Sequence, residues 1–185
     1  GSGKSTLVEI MCGFLNPTKG EITIDHKPIK NSLDNWKVSI GYVTQNTFIL
    51  NDTLRNNIGL FDIYNNQIND EKVIESLKQV GLSQYLNETK NGLDTILYES
   101  GKSLSGGQKQ RINIARNLYK QSEVIFFDEP TSSLDEETED ELLKELSSLN
   151  KNKDKTFVIV THKKKVANFC DKIMEWDEMK WNEMK

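Results

Sequence analysis

Apolar positions along this chain follow two alternating patterns, one with helical spacing and one of short continuous runs. Leu7, Val8, Ile10, Met11 and Leu15 keep a helical period and predict a helix over residues 4–14. Asn16-Pro17-Thr18-Lys19-Gly20 ends it with a turn. Glu21-Ile22-Thr23-Ile24-Asp25 alternates and reads as a strand, and Ile40-Gly41-Tyr42-Val43 as another. A short helix is expected at 53–60 and a longer one at 70–80, where Val73, Leu77 and Val80 share a face and Gly81 supplies the C-terminal cap. Residues 81–98 mix loop and helix. A helix follows Ser105 to about Lys120, with Ile112, Ala115 and Leu118 on one face. Val124–Phe127 and Thr156–Val160 are continuous apolar runs, the pattern of strands buried on both sides. Between them lies a helix over 133–149, opened by acids that suit the positive end of its dipole. A helix begins near His162, and Lys172–Trp176 reads as a last strand. Strands alternating with helices predict an α/β fold: a mostly parallel sheet flanked by helices, with a helical lobe over about 53–120.

Composition narrows the class. The chain has 185 residues, enough for one domain with a sizeable core, and 36% hydrophobic with 28% charged residues is ordinary for a soluble globular chain. A net charge of −4 argues against nucleic acid as a partner. No stretch approaches the roughly 20 apolar residues of a membrane span. Cys12 and Cys170 lack metal-site spacing, and Cys12 is expected to pack in a helix.

Three motifs carry chemistry. Gly1-Ser2-Gly3-Lys4-Ser5-Thr6 holds the last positions of a phosphate loop, in which backbone N–H groups at a helix start cradle phosphates. Lys4 would reach the β and γ phosphates and the Ser5 hydroxyl would ligate Mg2+. The pattern's first glycine and its feeding strand would lie upstream of residue 1, so the sequence reads as truncated at its N-terminus. Asp128-Glu129 closes the run Val124–Phe127, placing two carboxylates at a strand's C-terminal end, where open α/β sheets bind ligands. Asp128 would hold Mg2+ and Glu129 would act as general base on water. Between these motifs, Leu104-Ser105-Gly106-Gly107-Gln108 opens a helix and offers an anion site of hydroxyl, N–H groups and dipole.

In this order, with Gln45, His162 and the continuation Lys109–Arg116, the motifs resemble the nucleotide-binding domain of ATP-binding cassette (ABC) transporters, over the chain from residue 1 to about Asp171. The resemblance implies a P-loop NTPase that binds ATP and Mg2+. It implies that Gln45 senses the metal and the attacking water, that His162 contacts the γ-phosphate, and that Asp135 of Ser132-Ser133-Leu134-Asp135 communicates between subunits. It also implies that Leu104–Gln108 face the ATP of a second ABC domain, in a homodimer or heterodimer. Tyr98-Glu99-Ser100-Gly101 and Asp52–Ile58 resemble exporter segments, with Phe48-Ile49-Leu50 either at a docking surface or packed in the core. The implied activity is ATP hydrolysis powering export or flipping of a substrate, by a head-to-tail dimer at the cytoplasmic face of a membrane. The transmembrane domain would be fused upstream. The alternatives are a non-transport ABC ATPase of translation or DNA repair, and an inactive fragment. The ATPase domain is expected over 1–177, with 178–185 a tail of unassigned role, and from Glu175 onward the sequence departs from the family, lacking its glycine turn. Lys163-Lys164-Lys165 is read as a solvated helix start, and His26 as a surface residue.

Overall fold

The computed structural model describes residues 3–65, 67–98, 101–151, 154–177 and 180–183. In chain order its elements are α1 (Lys4–Met11), β1 (Thr23–Ile24), β2 (Lys27–Pro28), α2 (Leu33–Ser39), β3 (Ile40–Val43), α3 (Leu54–Ile58), α4 (Asp70–Gln79) and α5 (Ser83–Glu88). Then come α6 (Gly106–Tyr119), β4 (Val124–Asp128), α7 (Glu136–Leu149), β5 (Thr156–Val160), α8 (Lys164–Ala167), β6 (Met174–Asp177) and β7 (Lys180–Glu183). Strands β3, β4 and β5 form a parallel sheet in that order, with Tyr42 opposite Phe126 and Asp128 opposite Val160.

Helices cover both faces of this sheet because β4 alternates two sets of apolar side chains. Ile125 and Phe127 join one core with Ile112, Ala115 and Leu118 of α6 and Leu142 and Leu146 of α7. Phe126 points the other way, into a smaller core with Val8 and Cys12 beside α1. Trp36 of α2 meets Phe126 edge-on at 6.3 Å, and Phe127 meets Phe157 of β5 at 5.3 Å. Each fully buried side chain of this size contributes about 1.5–3 kcal/mol. The central strand is therefore the best-buried one, whereas β5 is at most half-buried along its length. Burial pushes the Cys12 thiol up to about 12, helped by the Glu9 charge, so it packs as a small hydrophobe.

The helical stretch before β4 does not have a separate core. Leu54 and Ile58 of α3, and Val73 and Leu77 of α4, are in the same apolar cluster as Ile125 and Phe127. Helix α6 is the shared wall and is buried over most of its circumference. Its Arg116 is only 6% exposed, and burial lowers the guanidinium to about 10. The guanidinium donates to the carbonyls of Asn57 (2.6 Å) and Phe48 and to the Asn57 side-chain oxygen (2.8 Å). Asn57, fully buried, donates in turn to the carbonyls of Leu50, Asp52 and Thr53. This hub ties the loop carrying Phe48 to both α3 and α6.

Local signals explain the ends. Thr53 and Asn69 cap α3 and α4 by accepting from Asn56 and Lys72 N–H groups. The Leu82 N–H returns to the Leu77 carbonyl and that of Gly81 to Lys78, a Schellman closure that Gly81 permits with φ 69°.

The structure corrects several expectations. The first helix stops at Met11 rather than Phe14, and α7 starts at Glu136 rather than 133. Instead of one strand over 21–25 there is a two-residue antiparallel ladder closed by Asp25 and His26, both at positive φ, as a tight hairpin turn requires. Helix α2 has no counterpart in the sequence reading. The last strand pairs with β7 as a separate hairpin, with Trp176 opposite Trp181 along the backbone, and is not part of the central sheet. Tail residues 178, 179, 184 and 185 lie outside the described residues.

One close approach gives a test. A Cβ on Gly41 would sit 2.4–3.0 Å from the side chain of Asn117, whose oxygen accepts the Tyr42 N–H at 3.1 Å. Gly41→Ala is therefore expected to lower stability by about 1–3 kcal/mol through overpacking between β3 and α6. Denaturant titration checks this; an unchanged midpoint would contradict the packing described.

Candidate functional site

The C-terminal ends of the parallel strands carry four of the residues that the sequence singled out. Asp128 ends β4, Glu129 follows it, His162 lies two residues beyond β5, and Gln45 two residues beyond β3. The Glu129 carboxylate lies 2.9 Å from His162 Nδ1. Its side chain is 23% exposed and that of His162 62%, so the pair is open to solvent and substrate on one side. Gln45 Nε2 donates to the Ser132 hydroxyl at 3.3 Å, which links the segment after β3 to the loop after Glu129. The Tyr42 hydroxyl donates to Asp128 Oδ2 at 3.3 Å. Burial, and then the Asp128 charge, push that phenol up to about 12, so it remains a donor at neutral pH.

Glu129 has φ 49°, the left-handed region that costs a residue with a Cβ about 1–2 kcal/mol. Its N–H donates to the Val160 carbonyl at 2.9 Å, and its own carbonyl accepts from Ser132 at 3.2 Å. The surrounding bonds thus hold the strained turn that aims the carboxylate at His162.

Gly3 precedes α1 with φ 77°, and a Cβ there would meet open space. Its requirement for glycine is therefore conformational. The helix start has no side-chain cap and no acid in its first turn, so its N–H groups and dipole suit an anion. Ser5 and Thr6 are exposed on that turn and Lys4 is half-buried. Gly1 and Ser2 lie outside the described residues.

Leu104 is buried and anchors the third motif. Ser105 caps α6 by accepting the Gln108 N–H at 3.1 Å, while Gln108 Oε1 accepts the Ser105 N–H at 2.9 Å. This capping box fixes Gln108, and the Ser105 hydroxyl proton stays available to donate outward. The glycines pack on the segment after Glu129. A Cβ on Gly106 would lie 3.5 Å from the Ser133 carbonyl, and one on Gly107 only 2.6 Å from Thr138. Asp135 caps α7, accepting from Thr138 N–H and hydroxyl at 2.9 Å each, and these bonds hold its carboxyl below the ordinary range. A cleft of about 190 Å³ opens between Gln45, Thr47, Gly106, Lys109, Gln110 and Ser133.

The residues fit ATP with Mg2+. Mg2+ takes few protein oxygens and fills its shell with phosphate and water, which suits one carboxylate (Asp128), one hydroxyl (Ser5) and one amide (Gln45). Among the described residues no cluster of three or more His, Cys, Asp or Glu forms a metal cage.

Sequence reasoning missed Tyr42, Arg116, Asn57 and Glu139, and took Lys163 for a solvated residue. Lys163 instead donates to the Thr131 carbonyl at 2.8 Å and to the buried Glu139 carboxylate. Lys165 pairs with Asp140 at 2.7 Å. Only the density of acids over 136–141 hinted at partners for these lysines.

A parallel sheet between helices, with a glycine-led helix start and acids at the strand ends, defines a nucleotide-binding α/β domain. A protein-family model described as "ABC transporter" matches residues 1–132, and the chain belongs to that family. It is 36% identical over 178 residues to the ATP-dependent lipid A-core flippase of Francisella tularensis subsp. holarctica (strain OSU18), covering 96% of this chain and 29% of that protein. It is 38% identical over 177 residues to the mitochondrial iron-sulfur clusters transporter ATM1 of Candida albicans (strain SC5314 / ATCC MYA-2876), covering 94% of this chain and 23% of that one. Among solved structures, a bacterial Atm1-family ABC exporter with ATP bound superposes with a TM-score of 0.84 at 29% identity, covering 96% of this chain and 30% of that chain. The chain thus corresponds to an exporter-type nucleotide-binding domain, and spans under a third of the length of these relatives. Such relatives do not favour a role in translation or DNA repair.

Proposed function

We propose that this chain binds and hydrolyses ATP as one half of a head-to-tail pair, and that the hydrolysis drives export or flipping of a substrate across a membrane. The observation that carries the reading is the 2.9 Å contact between Glu129 and His162 at the sheet's strand ends. A carboxylate there can accept the proton of an attacking water. His162 orients that carboxylate and faces the γ-phosphate, and Gln45 lines the water side. Lys4 and the N–H groups of α1 hold the β and γ phosphates, continuing the cradle that Gly1, Ser2 and Gly3 begin. Ser5, Asp128 and Gln45 hold Mg2+. Bound with ATP, Mg2+ neutralises charge that develops on the phosphates.

The surface carrying Ser105 and Gly106 presents a hydroxyl and the start of a helix outward, which suits the ATP held by a second such domain. Asp135, fixed at the start of α7 beside Gly106 and Gly107, contacts the partner domain. Support for a membrane partner comes from exposed apolar residues. Phe48, Ile96 and Tyr98 are 65%, 43% and 66% exposed, and their segments are joined by the Thr53–Ile96 bridge and the Leu97-to-Asp52 hydrogen bond. These residues dock on the transmembrane domain, which is fused to the domain in the full-length protein. Glu99 and Ser100 of the same region lie outside the described residues. None of the described helices is long and apolar enough to cross a membrane. In this reading the domain works at the cytoplasmic face of the membrane through its transmembrane partner.

Lys4→Ala in the full-length protein is expected to weaken ATP binding roughly 10- to 100-fold, the worth of a charge-assisted hydrogen bond. Calorimetric titration with Mg-ATP measures this, and an unchanged dissociation constant would remove Lys4 from the phosphate site.

A further inference from the structure

The hydrolytic pair is surface-exposed on His162, yet the residue after it, Lys163, is anchored at three points. Two segments converge on the Lys163 side chain, and its backbone N–H closes a third contact. Its ammonium donates to the carbonyl of Thr131, in the loop that follows Glu129. It also pairs with Glu139, in the first turn of α7. Its backbone N–H donates to the Thr161 hydroxyl at 3.0 Å, closing the short turn that carries His162. Glu139 is 4% exposed and Thr131 1%, so both partners of the ammonium are buried, while the Lys163 side chain is 29% exposed. Burial alone would push the Glu139 carboxyl up; hydrogen bonds from Lys163 and the Thr131 hydroxyl outweigh it and hold the carboxyl below its ordinary value. Lys165 supports the junction from outside, facing Asp140 and Glu136.

What this junction fixes is specific. On one side it sets the position of His162 relative to Glu129, whose left-handed turn is held by the Val160 and Ser132 backbone bonds. On the other it fixes the start of α7, where Thr138 lies against Gly107 and the Ser133 carbonyl against Gly106. We propose that Lys163 and Glu139 are positioning residues that hold His162 against Glu129 and couple that geometry to the segment packed on the glycines of Gly106-Gly107. This rests on reading Glu129 and His162 as the hydrolytic pair. A displacement of the 130–138 segment, as a second domain engages, would then be felt at the Glu129–His162 contact through one ammonium group.

The test uses the full-length protein. Lys163→Met is expected to lower kcat about 10- to 100-fold, the scale of a misplaced catalytic group, with KM for ATP within about twofold of the original. Lys163→Arg is expected to recover most of kcat, because a guanidinium can bridge the same carbonyl and carboxylate. Lys163→Met strands a buried carboxylate, so Lys163→Met/Glu139→Leu is measured beside it. The double variant removes both charges and is expected to show the same kcat loss with a retained melting transition. Unchanged kcat in the double variant, or no recovery with Lys163→Arg, would overturn the proposal. So would kcat and affinity falling together, which is the mark of general destabilisation. Glu129→Gln is assayed in parallel: if it hydrolyses ATP normally, the reading of the pair itself fails. If it is inactive while the Lys163 variants are normal, only the positioning role fails.

Discussion

Glu129→Gln in the full-length protein is expected to bind Mg-ATP with near-original affinity and to hydrolyse it roughly 10²- to 10⁴-fold more slowly, the loss typical of removing a general base. The amide has the size of the carboxylate and can still hydrogen-bond His162 Nδ1, which lies 2.9 Å from the acid. It cannot accept the proton from water. The backbone at Glu129 is held by Val160 and Ser132 and not by the side-chain charge, so the turn should persist. ATP that binds but is not cleaved should trap two domains in the closed pair. Single-turnover hydrolysis with a parallel binding titration separates the two effects, and near-normal turnover would exclude Glu129 as the base.

Ser105→Arg is expected to abolish cooperative ATPase activity while leaving nucleotide binding by each domain within about twofold. Two consequences follow from its place at the start of α6. The substitution removes a capping hydroxyl, worth about 1 kcal/mol. It also sets a bulky cation at the positive end of a helix, where a phosphate should approach. Ser105→Thr keeps the cap and distinguishes the two: it should retain most of the activity. If Ser105→Arg instead loses nucleotide binding in a single domain, Ser105 belongs to that domain's own site and the head-to-tail arrangement fails.

Much of this site was legible because each part is local in sequence. A glycine-led helix start, an apolar run ending in two acids and a Ser-Gly-Gly-Gln cap signal themselves within a few residues, and the sheet merely assembles them. The apolar runs 124–127 and 156–160 were legible as strands for the same reason, although 156–160 turned out only half-buried where burial on both sides was expected. The parts that stayed hidden are contacts between distant segments. Arg116 reads as one more basic residue on a helix, and only the fold places it against Asn57 and the Phe48 carbonyl. Lys163 stands in a run of three lysines that reads as solvated, and only the packing of α7 delivers Glu139 to it. Helix α2 escaped detection because it is short, lacks a side-chain cap and contains no fully buried residue. The ladder at Thr23–Ile24 is shorter than its alternation implied because Asp25 and His26 turn the chain back at once.

The central claim is that each hydrolytic site joins Glu129 of one domain to Ser105 of another. Two mixed dimers of the full-length protein, purified through different tags on the two copies, test it directly by their ATPase rates. In one, Ser105→Arg is on one copy and Glu129→Gln on the other. In the second, both substitutions are on the same copy, opposite an unaltered one. A head-to-tail pair leaves one intact site in the first dimer and none in the second, so the first should hydrolyse ATP and the second should not. The reverse result, with activity only in the second dimer, would mean that each chain completes its own site and would contradict the account.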